Sequence, residues 1–186
     1  MTYDYNEETN TVLIKRESEE TPEIIDNAHF VRMMRDGLSG SGSPSGYTLK
    51  FEDGFKMPQE ISGIFRTCTT AETIELSNVD MTEVEYAGSL CQDATHLKNI
   101  TLSSMPKIRH LELAFSGTSI DHFDFGFCKD VFKNVQNSMI DVNFSEIFTG
   151  CTNLSIENIT FPDEIIDSFS GNWVLGVSYG NNPRVS

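Results

Sequence analysis

The feature that most constrains this chain is a short apolar-x-apolar pattern that returns along its length. Leu49 and Phe51, Ile74 and Leu76, Ile100 and Leu102, Phe123 and Phe125, and Ile159 and Phe161 follow one another at spacings of 25, 26, 23 and 36 residues. An upstream landmark keeps step with it, at Phe65, Leu90, Phe115 and Phe148, with spacings of 25, 25 and 33. Two landmarks in phase indicate one supersecondary unit used several times. A unit with only two inward residues cannot bury them alone, so stacking of neighbours has to supply the core. The fold expected on this basis is a β-rich repeat solenoid with short helices or loops. About five short strands would form one parallel sheet, with the landmark residues on the opposite wall.

The flanks divide the chain into four parts. Residues 1–36 read as an N-terminal arm. Tyr3 and Tyr5, the polar break at 6–10 and the β-branched run after it suggest a hairpin. An amphipathic helix is expected over 22–36, with Thr21 as cap, Pro22 at the first position and Gly37 beyond its end. Its apolar line, Ile24, Ala28 and Val31, flanked by Ile25, Met34 and Leu38, makes it a candidate docking helix. Residues 37–46 form a Gly/Ser linker, with little to bury. Residues 47–165 are the repeat body, in which Asp53 and Gly54 read as a tight hairpin turn. The long fourth interval, 126–145, holds an insertion expected to be a loop or short helix. Residues 166–186, with Trp173, Leu175, Val177 and Tyr179, are read as a C-terminal cap and tail.

The last unit, Phe148, Cys151, Leu154, Ile159, Phe161 and Pro162, resembles the BspA-type leucine-rich repeat. The resemblance extends through Phe65, Cys68, Ile74 and Leu76, through Leu90, Leu97, Ile100 and Leu102, and through Phe115, Ile120, Phe123 and Phe125. It covers residues 47 to 165, with Thr118 standing where the motif has cysteine and Ala71 where it has leucine. It implies a non-catalytic surface for binding protein or host ligands.

Charge excludes some partners. Thirteen basic against twenty-eight acidic residues give a net charge of −15, so a polyanionic nucleic acid is repelled and anionic membrane surfaces are disfavoured. No run approaches the length needed to span a bilayer, and residues 1–17 lack the basic and apolar regions of a secretory signal. Cys68, Cys91, Cys128 and Cys151 are widely separated and without a C-x-x-C pair, which predicts buried free thiols rather than a metal centre or disulfides.

Chemistry is sparse. Asp121, His122 and Asp124 are the one cluster with acid/base or metal potential, and their alternation with Ile120, Phe123 and Phe125 is also that of a solvated strand. No phosphate loop, nucleophile elbow, zinc-helix motif or dinucleotide fingerprint occurs. The sequons at Asn99, Asn143, Asn153 and Asn158 read as strand-flanking composition. No enzyme activity, cofactor or metal is therefore expected. The outward strand positions Lys50, Glu75, Thr101, Asp124 and Thr160 form the candidate interaction face.

The expected function is a non-enzymatic structural or protein–protein interaction module within a larger assembly, such as a bacteriophage head or tail, with a virion or cytoplasmic location. The alternative is a recognition module that binds a cell-surface protein or glycan through the repeat face.

Overall fold

The computed structural model describes residues 1–17, 22–38, 44–133 and 143–163. The expected C-terminal cap and residues 39–43 of the Gly/Ser linker lie outside these residues, as do Thr21 and residues 134–142 of the insertion.

The chain opens with the expected hairpin, β1 (Thr2–Asn6) antiparallel to β2 (Thr11–Lys15). Alternation in β2 turns Val12 and Ile14 inward, both fully buried. β2 then pairs in parallel with β4 (Tyr47–Phe51), setting Val12 beside Leu49 and Ile14 beside Phe51. β6 (Ala71–Leu76) and β7 (Asn99–Leu102) continue in parallel, with Leu49, Ile74 and Ile100 in one register and Leu76 beside Leu102. The five strands run in the order β1, β2, β4, β6, β7.

This arrangement overturns the expected repeat solenoid with one parallel sheet of about five strands. The fold is mixed α/β: the five-stranded sheet is itself mixed, because β1 and β2 form an antiparallel pair, and two short helices accompany it among the described residues. Among the described residues β8 (Phe123–Asp124) and β9 (Ile159–Thr160) pair only with each other, in a separate two-stranded sheet. The apolar spacing located the strand segments correctly and misjudged how they share sheets, because spacing does not report edge partners.

Helix boundaries also differ from expectation. Residues 22–26 are not helical: β3 (Glu23–Ile24) pairs in parallel with β5 (Phe55–Lys56). Helix α1 spans Asn27–Leu38, and Asp26 caps its start by accepting from the His29 amide at 3.1 Å. Because β5 pairs with β3 and not with β4, Asp53 and Gly54 turn a corner out of the main sheet rather than closing a hairpin. Gly54 supplies the left-handed conformation there, with φ 91°. Within the insertion, a 3-10 turn at Phe125–Cys128 leads into α2 (Lys129–Lys133).

Opposite the sheet stand four stacked turns, residues 62–67, 88–93, 112–117 and 145–150. Each donates backbone hydrogen bonds to the next: Phe65 to the Leu90 carbonyl, Cys91 to Ala114, and Phe115 to Ile147, at 2.7–2.9 Å. These bonds put Cys91, not Leu90, in the register of Phe65, Phe115 and Phe148. Gly63, Ser89, Leu113 and Glu146 occupy one equivalent position and all adopt positive φ, 53–67°. The left-handed residue at that point turns the chain sharply, and three non-glycine residues accept its cost of order 1 kcal/mol in exchange for ladder bonds.

The core lies between sheet and turns. Phe30 of α1 stacks on Phe51 with centroids 5.8 Å apart and meets Phe65 edge-on at 5.5 Å. At the other end Phe115 and Phe123 lie 4.7 Å apart, beside Phe148 and Phe125. Each such ring contributes about 1.5–3 kcal/mol by leaving water.

Candidate interaction face

Lys50, Glu75 and Thr101 sit side by side on β4, β6 and β7, in direct register. Alternation explains this: Leu49, Ile74 and Leu76 point to the core, so the residues between them face out. The Lys50 ammonium meets the Glu75 carboxylate at 3.0 Å, with both side chains well solvated. Thr101 is exposed. Asp124 and Thr160 are likewise exposed and in register with each other, on the separate β8–β9 sheet. The five expected positions therefore form a row of three and a row of two.

Between the two rows the strands part. The Ser119 amide donates to the Leu97 carbonyl at 3.0 Å, and the Met105 amide donates to Phe127 at 2.8 Å. In a parallel ladder the first bond puts Lys98 opposite Ser119, and the second puts Met105 opposite Cys128. The β8 side thus carries two more residues between these pins than the β7 side, and no ladder joins β7 to β8. A groove of about 520 Å³ occupies the gap.

The cluster of Asp121, His122 and Asp124 resolves into local contacts. Asp121 Oδ1 lies 2.7 Å from His122 Nδ1, both side chains exposed. Asp124 Oδ1 instead accepts from the Gly126 amide at 2.8 Å, capping the 3-10 turn. Among the described residues no group of three His, Cys, Asp or Glu side chains is placed to hold a metal, and no helix is long and apolar enough to cross a membrane. Three of the sequon asparagines make structural bonds: Asn158 Nδ2 donates to the Asp121 carbonyl at 3.0 Å, Asn153 Nδ2 to Ser119 at 3.5 Å, and Asn143 Oδ1 accepts from Ser145.

Around the face, lysines bridge neighbouring strands and turns. Lys98 pairs with Glu72 at 3.2 Å, Lys56 with Asp80 at 3.7 Å, and Lys107 with Glu83. Hydrogen bonding from Thr82, through its hydroxyl and amide, holds the Asp80 carboxyl below the usual range. The Lys107 ammonium does the same for Glu83.

The helix residues fall differently from the docking reading. Ile24 lies on β3 and is 63% exposed, Ala28 is exposed, and Val31 is half-buried against the chain's own core. The buried stripe is Phe30, Met34 and Leu38. Those residues recur at i, i+4 and i+8, a signal present in the sequence but obscured by starting the helix at 22.

All four cysteines are free and buried. Burial pushes the Cys68 thiol up to about 12 and raises Cys91, Cys128 and Cys151 as well. Cys151 donates to the Phe115 carbonyl at 3.0 Å and touches Thr118 Oγ1 at 3.3 Å. These sulfurs pack the core and are withheld from chemistry.

No protein-family model, no curated protein and no solved structure matches the chain.

Proposed function

We propose that this chain is a non-enzymatic protein–protein interaction module that acts as a component of a larger assembly. The observation that carries the proposal is the in-register outward row Lys50, Glu75, Thr101, continued by Asp124 and Thr160 beyond the groove. Such a row is a flat array of side chains held by backbone ladders, so a partner meets a surface that loses little entropy on binding. The charge of −15 favours a partner with a basic face and speeds encounter with it.

Site-specific photo-crosslinking in the native host tests the reading. A benzoyl-phenylalanine at Thr101 or Thr160 is expected to give a discrete adduct of defined mass, while the same probe at Thr149, on the turn wall, gives none. Absence of adducts at both face positions, together with sedimentation of the chain as a free monomer in host extract, overturns it.

A further inference from the structure

We draw no further inference here: the strongest candidate, the groove between β7 and β8 lined by Ile100, Leu102, Phe123 and Phe127, carries nothing, because the Asp124 carboxylate on it already accepts from the Gly126 amide and nothing in the structure shows what covers it.

Discussion

The β6–β7 junction and the β7–β8 junction carry the same apolar alternation, yet one is a closed ladder and the other a groove. At the first, four consecutive register pairs seal Ile74 and Leu76 completely. At the second, the two sides have unequal lengths between their pins, so the register cannot be kept and Ile100 and Leu102 remain partly open. The pair shows that two inward residues per strand are enough for burial only where the loops hold both strands in one register. Where they do not, the same residue types become a candidate surface.

The largest expected effects come from the core that both junctions share. Phe115→Ala removes the ring between Phe123 and Phe148 and is expected to cost about 3–5 kcal/mol in urea unfolding. A loss below 1 kcal/mol would mean that the aromatic end of the molecule is not cooperative with the rest. The contrast itself is broken or sharpened by Ile74→Ala against Ile100→Ala. The first is expected to cost about 2–5 kcal/mol and the second roughly half as much, because Ile100 already has solvent on one side. Equal losses would show the groove to be closed in solution.

Acid should act on the paired side. The folded Asp80 carboxyl titrates below its unfolded range, so its stabilisation is present above the ordinary carboxylate pKa and is lost as pH falls through the folded value. The Asp80 side chain is 40% exposed, which limits the effect to under about 1 kcal/mol. Melting temperatures of wild type and Asp80→Asn are therefore expected to differ at pH 6 and to converge as pH falls through the folded Asp80 value. A constant difference across that range would contradict the assignment. The smallest effect is expected at Lys50→Met, below about 0.5 kcal/mol, since the pair with Glu75 is solvated. Thiol titration at pH 8 should find the four cysteines unreactive until denaturant is added.

Much of the local structure was legible in advance. The hairpin at β1 and β2, the strand segments at Leu49, Ile74, Ile100, Phe123 and Ile159, and four buried thiols follow from alternation, turn residues and cysteine spacing. The five face residues were recognised as outward because each sits between two apolar positions. Size alone makes Leu90 the Phe65 equivalent, yet hydrogen bonding gives that place to Cys91, because a local pattern cannot decide between adjacent residues.

What the sequence by itself determined is therefore which residues turn inward and which turn out, since side-chain direction in a strand is set by local backbone geometry. Only the tertiary structure decided which strands share a sheet, that the hairpin joins the parallel strands through β2, that α1 packs Phe30 onto the chain's own core, and that β7 and β8 separate. Those outcomes depend on hydrogen bonds between residues tens of positions apart, and on loop lengths that act only after the strands meet.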